Sequence, residues 1–512
     1  MTGARPSRDR RPVTALPLPP RAGAVVDADG HVVEPPAAWT GMAEAHRPRI
    51  HRDAGGYEHV VVGDQEILAV PLGTLATPGS TFDDPSTYRH LDEAQPGGSD
   101  PVARLADMDL EGIDQAVLYP SIGLYAWAIA DPAAAVAVAR AYNDWLAAYC
   151  AADPRRLFGA AMLPMQDPDA AATELRRAVT GLGCHAAFVR PNPCLGRSLS
   201  DRAYDPVWDV AEELDTPIGI HEGSSVIVPT LAADRPFNPL ILHAVSHSFE
   251  QMLACAQLIG FGVLERHPHL RCLFLESSGG WAPFWLERLN EQAESFGGFC
   301  PDMKLRPSDY FARQCSISFE VDEQTLPALA PFIGPERIVW GSDYPHHDAT
   351  FPGAVEAIRR TVAPCPTSTQ ARVLGLNAKR VYRLPSHLTG AAALIGDYFA
   401  AVTARDVALL AGLFAPDAVL ESGDVRLAGR PDILGYYTAN TFAYEDFRPV
   451  PGPLAIEGDR VTVDLDVRLG GADRAIHDVF EIEGSHITRL SITGFEDALR
   501  AARNAPGPPG IP

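Results

Sequence analysis

Between about residues 23 and 384, short apolar runs alternate with longer stretches whose apolar positions recur at helical spacing. The runs read as strands at Gly23–Val26, Gln115–Tyr119, Phe158–Leu163, Ala186–Val189, Ile218–Ile220, Arg271–Leu275, Cys315–Phe319 and Ile338–Trp340. Helical stretches such as Ala134–Cys150, Asp169–Thr180 and Asp205–Leu214 fall between them. Strands that are apolar throughout bury both faces, and strands separated by helices are joined by parallel crossovers. Eight such repeats predict an α/β fold with a (β/α)8 barrel, a doubly wound open sheet being the alternative. Residues 50–100 interrupt the repeat with Gly, Asp and Pro, and carry a hairpin signal over Tyr57–Val70 that turns at Gly63-Asp64. An insertion after the first strand would overlie the mouth of a barrel.

The pattern changes after Leu384-Pro385. Residues 391–411 read as one amphipathic helix, followed by short strands at Ala418–Glu421, Leu454–Glu457, Arg460–Leu469, Ile476–Ile482 and His486–Ile492. Strict alternation in Val461-Thr462-Val463-Asp464-Leu465-Asp466-Val467 marks a half-buried antiparallel strand. The expected organisation is a barrel over 23–385 and a small α+β domain over 386–498. Disordered tails are expected at 1–22, rich in Arg and Pro without the apolar core of a secretory signal, and at 499–512, rich in Pro and Gly.

A chain of 512 residues suits two domains. Lys and Arg total 42 against 65 Asp and Glu, a net charge of −23. That balance argues against nucleic acid and anionic membrane as partners, since both need basic patches. Apolar runs stop short of the roughly 18 residues a membrane span needs. The eight cysteines form no C-x-x-C pair, which fits reduced thiols in a cytoplasmic protein. The expected partners are a small-molecule substrate and a second copy of the chain in a homodimer.

In a barrel, chemistry sits at the C-terminal strand ends. Asp29 and His31 close the first strand two residues apart, so both project from one face. His221 directly follows Pro217-Ile218-Gly219-Ile220, and Asp343 follows Ile338-Val339-Trp340-Gly341-Ser342. Two carboxylates and two imidazoles at strand ends form a divalent-metal set, for Zn²⁺ first and Mn²⁺ second. A satisfied turn is the bland reading of any one of these residues, but three independent strand ends favour the metal. Asp343 and His221 are then the candidate catalytic groups. Arg190, ending the fourth strand, is a candidate anchor for a substrate carboxylate, or else a structural ion pair. His247, with His243, could enter the pocket or remain an exposed polar position. The Trp281, Phe284 and Trp285 stretch reads as helix packing.

The stretches VVDADGHVVEPPAAW, DPVARLADMDLEGIDQAVLYPS, TPIGIHEG, ERHPHLRCLFLESSGGWAPFWLERL, IVWGSDYPHHD and VLGLNAKRVYRL resemble, in order, the amidohydrolase superfamily. The likeness is to its branch of aminocarboxymuconate-semialdehyde and resorcylate-type decarboxylases. It implies a (β/α)8 barrel holding one divalent metal, with Asp29, His31, His221 and Asp343 at the ligand positions. The fourth strand offers no lysine for the carbamate of binuclear relatives, so a single metal is implied. Many relatives carry His-Gly-Gly at the sixth strand, where this chain has Glu276-Ser277-Ser278. Glu276 therefore either takes a polar role toward substrate or caps the next segment. The expected activity is decarboxylation of an aromatic or unsaturated carboxylic acid, the alternative being metal-dependent hydrolysis of an amide, lactone or C–C bond. The stretches IGDYFAAVTARDVALLAGLFAPDAVLES and HDVFEIEGSHITRLSITG resemble the SnoaL-like, nuclear-transport-factor-2-like cone, with Asp417, His477 and Asp478 as candidates for its interior.

Overall fold

The computed structural model describes residues 24–225, 227–236, 238–385, 390–444 and 446–503. Eight parallel strands run in chain order around a nearly closed barrel: β1 (Val26–His31), β2 (Gln115–Tyr119), β3 (Leu157–Met162), β4 (Ala186–Val189), β5 (Ile218–Ile220), β6 (Cys272–Phe274), β7 (Cys315–Phe319) and β8 (Ile338–Trp340). Every residue of these strands is buried, as expected of strands lined by a core inside and helices outside. The seam between β8 and β1 is drawn together by the Asp343 N–H, which donates to the Asp29 carbonyl at 3.1 Å. Ser342 reinforces it, its N–H and hydroxyl both donating to the Asp27 carboxylate at 2.9 and 2.6 Å. Gly341 is required at the seam: a Cβ there would lie 2.5 Å from that of Asp29.

The outer helices start on a repeated local device. Asp100-Pro101, Asp131-Pro132 and Asp167-Pro168 each place a carboxylate that caps the first free N–H groups, followed by a proline whose missing N–H costs nothing at that position. The helix Pro168–Leu182 then buries Ala171, Ala172, Leu175 and Ala178 on one face and stops at Gly183 in the left-handed conformation.

The insertion is a three-stranded antiparallel sheet (Arg49–Arg52, Glu58–Val62, Gln65–Val70), one strand more than the expected hairpin. It is pinned internally by Glu58, whose carboxylate accepts from the N–H groups of Leu72 at 3.1 Å and Leu91 at 3.0 Å. Its loop is fastened to the segment after β8, where the Gly79 N–H donates to the His347 carbonyl at 2.7 Å.

The C-terminal region builds its own core on a seven-stranded sheet: β9 (Phe414–Ser422), β10 (Val425–Ala428), β11 (Arg448–Pro451), β12 (Ala455–Glu457), β13 (Arg460–Leu469), β14 (Ala472–Glu483) and β15 (His486–Thr493). Along β13, Val461, Val463, Leu465, Val467 and Leu469 all face the core, as their alternation requires. The single helix expected over 391–411 is two, Gly390–Ala404 and Val407–Leu413. Arg405 adopts a left-handed φ of 56°, and the Asp406 side chain caps the second helix at the Leu409 N–H. The expected C-terminal tail also needs correcting. A helix runs over Phe495–Arg503 because its apolar face, including Leu499, packs on the core. Residues 1–22 and 504–512 lie outside the described residues. Among the described residues no helix is long and apolar enough to cross a membrane.

Candidate metal centre

The ends of β1, β5, β6 and β8 bring Asp29, His31, His221, Glu276 and Asp343 together inside the barrel mouth. The Nε2 atoms of His31 and His221 are 3.1 Å apart. His31 Nε2 lies 3.8 Å from Asp29 Oδ1 and 3.4 Å from Asp343 Oδ1. His221 Nε2 lies 3.4 Å from Asp29 Oδ1 and 3.3 Å from Glu276 Oε2. Asp29, His31 and His221 are almost completely buried.

The protonation pattern follows from the outer contacts. The Nδ1 of His31 contacts the Pro120 carbonyl at 2.8 Å, and the Nδ1 of His221 contacts the Glu222 carbonyl at 2.6 Å. A carbonyl can only accept, so each Nδ1 carries a proton, which leaves each Nε2 facing the cluster as the nitrogen able to ligate a metal. Asp29 Oδ1, Glu276 Oε2 and Asp343 Oδ1 are buried there and accept no aligned hydrogen bond. Burial pushes the Asp29 carboxyl up to about 6 and raises Asp343 well above the carboxylate range, with Glu276 adding to both. Unpartnered oxygens and imidazole lone pairs converging at 3–4 Å repel one another, and a divalent cation supplies the missing charge. The residues present fit such an ion.

Two further groups frame the cluster. His346, three residues past Asp343, places Nδ1 2.6 Å from Asp343 Oδ1 and Nε2 2.9 Å from the Ser121 hydroxyl. His247, on the helix Pro239–Gly260, is tied through Nδ1 to the His243 carbonyl at 3.0 Å and holds Nε2 3.5 Å from Glu276 Oε1. Burial alone would lower its pKa, but the Glu276 carboxylate outweighs this and raises it to about 9. Glu276 sits at a φ of 47° and Asp343 at 54°, left-handed conformations that non-glycine residues rarely adopt and that aim both carboxylates inward.

The structure brings Asp29, His31, His221 and Asp343, the four residues expected to hold a metal, together at one mouth. Glu276 joins them as a member of the cluster, beyond the capping or substrate-facing role expected of it. Arg190 is a correction. It is fully buried, and its guanidinium is spent on Glu222 at 2.8 Å, Asn192 at 3.0 Å and the carbonyls of Gly223 and Leu124. Four of its five N–H bonds are taken by these acceptors, and the side chain is sealed from the chamber a substrate would enter. His346 escaped the sequence reading, although its place in Tyr344-Pro345-His346-His347-Asp348, just past a strand-end aspartate, was the available signal. Glu320, following β7, was also missed; burial raises its carboxyl to about 8.

Two cavities open from the cluster. One, of about 290 Å³, is acidic and includes Glu320, Asp322, Asp343 and Asp348. The other, of about 700 Å³, is mostly apolar and runs from Glu276, His346 and His247 out to the insertion. Residues 26–384 match the model of the amidohydrolase family. The chain belongs to that family. Residues 395–490 match the SnoaL-like domain. Within the family, the chain is 32% identical over 255 residues to a gamma-resorcylate decarboxylase from a Rhizobium species, covering 47% of this chain and 76% of the relative. An amidohydrolase from Mycobacterium avium subsp. paratuberculosis K-10 superposes with a TM-score of 0.60 at 25% identity, over 70% of this chain and 99% of that one. A 5-carboxyvanillate decarboxylase from Sphingomonas paucimobilis does so with a TM-score of 0.53 at 26% identity, over the same shares.

In the small domain, Asp417 is exposed and His477 is half-exposed, paired with Asp464 at 2.7 Å. Asp478 points inward, buried beside Tyr398 and Tyr437, whose hydroxyls are 2.5 Å apart.

Proposed function

We propose that this barrel is a metal-dependent carboxy-lyase that removes CO₂ from an aromatic or unsaturated carboxylic acid. The observation that carries the reading is the convergence of Asp29, His31, His221, Glu276 and Asp343 beside His247, 3.5 Å from Glu276, with an apolar chamber opening from them. Decarboxylases among the relatives support it.

Asp29, His31, His221 and Asp343 would hold the ion, with Glu276 able to add a fifth donor. When bound, the metal neutralises negative charge at the substrate carboxylate and its neighbouring oxygen. His247 contacts the same acid and orients it with its ring in the apolar chamber. Asp343, held 2.6 Å from the His346 Nδ1, passes a proton to the ring carbon that bears the carboxylate. The C–C bond then breaks, its electron pair returns to the ring and CO₂ leaves. The acidic cavity, with Glu320 and Asp348, resupplies the proton from solvent.

Zn²⁺ and Mn²⁺ both suit the site; a third carboxylate oxygen makes it harder and favours Mn²⁺. A cytoplasmic homodimer is the proposed state, checked by sedimentation. The deciding experiment supplies metal-loaded protein with carboxylated aromatics, amides and lactones. CO₂ release from the acids is expected, and hydrolysis of amides or lactones without CO₂ release overturns the reading.

A further inference from the structure

The insertion does more than lie over the mouth. Tyr57, Val70, Leu75 and Phe82 from it form one wall of the 700 Å³ chamber, facing Leu124 and Tyr125 from the segment after β2. The wall is held in place: Phe82 packs edge-on against His347 with ring centres 4.9 Å apart, next to the Gly79–His347 hydrogen bond. Gly73 allows the close approach, since a Cβ there would collide with the His90 carbonyl at 1.9 Å. Pockets enclosing drug-sized ligands span roughly 300–1,000 Å³, so this chamber takes more than a single ring.

Its charges are equally informative. Among the described lining residues there is no lysine or arginine, whereas Asp83, Glu276 and Asp348 are all carboxylates. The donor cluster that would hold the metal, and His247 beside it 3.5 Å from Glu276, lie at the inner end. A second carboxylate placed on the far side of the ring would meet a mostly apolar wall and the carboxylates Asp83 and Asp348, with hydroxyls and the imidazoles of His243 and His347 in place of any lysine or arginine.

We propose that the substrate is a monocarboxylic aromatic acid carrying an extended apolar substituent, which the insertion's wall receives while the metal end holds the carboxylate. The inference takes the acid-binding orientation of the proposed function as its starting point.

The test uses the metal-loaded full chain and two matched series. One is 2-nitrophenols with a methyl, propyl, pentyl or heptyl chain beside the nitro group, which has the shape of a carboxylate and cannot leave as CO₂; their Kd is measured by calorimetry. The other is the corresponding 2-hydroxybenzoic acids, scored for kcat/KM by CO₂ release. Affinity should tighten about fourfold per methylene until the chamber is full. An analogue with a carboxylate in place of the chain should bind more weakly than the methyl compound. Leu75→Ala and Phe82→Ala should each flatten the chain-length dependence while leaving the methyl compound within about twofold of the parent. Affinity independent of chain length, or tighter for the dicarboxylate, overturns the proposal. Affinity that follows the series with no CO₂ released from any acid upholds the wall's role and rejects decarboxylation instead.

Discussion

Both halves of this chain bury a carboxylate whose oxygen accepts no aligned hydrogen bond, yet the two settings differ in kind. At the barrel mouth, Asp29, Glu276 and Asp343 converge with two imidazole lone pairs. In the small domain Asp478 lies among aromatic residues with no charged partner among the described residues, and burial raises its carboxyl to about 8. A crowd of unpartnered donors is resolved by a cation, whereas an isolated buried acid is resolved by keeping its proton. Orphaned acids alone therefore do not mark a metal site; convergence does.

The strongest way to break this contrast is to remove an imidazole. His31→Ala or His221→Ala should reduce bound metal to near zero by elemental analysis and lower turnover on the order of 10³-fold, with unchanged circular dichroism. Full metal content in either variant would show that the cluster does not bind the ion. Asp343→Asn should lower kcat by roughly 10²–10⁴-fold with a smaller loss of metal. Retained turnover would remove its role as proton donor.

Arg190→Met separates structure from chemistry at the same mouth. It leaves Glu222 buried without its cation, so stability in urea should fall by about 3–5 kcal/mol while KM of the folded fraction stays constant. A raised KM would return Arg190 to the substrate. The smallest effect belongs to the small domain. Asp478 binds its proton more tightly folded than unfolded, so its contribution to stability declines as pH rises from about 4 to 8 and is level beyond. Asp478→Asn should remove that slope, leaving the variant's relative stability highest above pH 8 and metal content and CO₂ release unchanged. An identical pH profile in both proteins would mean the carboxyl is solvated after all.

Much of this was legible in the chain. Parallel strands bury both faces, so their apolar runs stand out, and β2, β4, β5, β7 and β8 match the expected bounds residue for residue. Asp29, His31 and His221 were legible as candidates because they lie on or directly after their strands, and Asp343 because it is the acid that follows β8. Glu276 was legible only as a substrate-facing or capping residue, and His346, six residues past β8, was not, since beyond a strand the backbone angles decide where a side chain points. A left-handed φ at Glu276 is invisible in the residue's identity. Arg190 misled for a different reason. Its charge near the mouth looked available until the neighbouring strand end supplied Glu222 to neutralise it. The break at Arg405-Asp406 carried no glycine or proline to announce it.

The separation of the wall from the chemistry has an engineering consequence. The insertion's contribution to the chamber comes from residues 57–83, while the donor cluster comes from 29–31, 221, 276 and 343. A library confined to the insertion could vary what the barrel accepts without exchanging a single donor atom, and its members would share one catalytic apparatus. The fastening of Gly79 to the His347 carbonyl sets the boundary of such a library, because that bond, with the Phe82–His347 ring contact, couples the interchangeable part to the segment carrying Asp343 and His346.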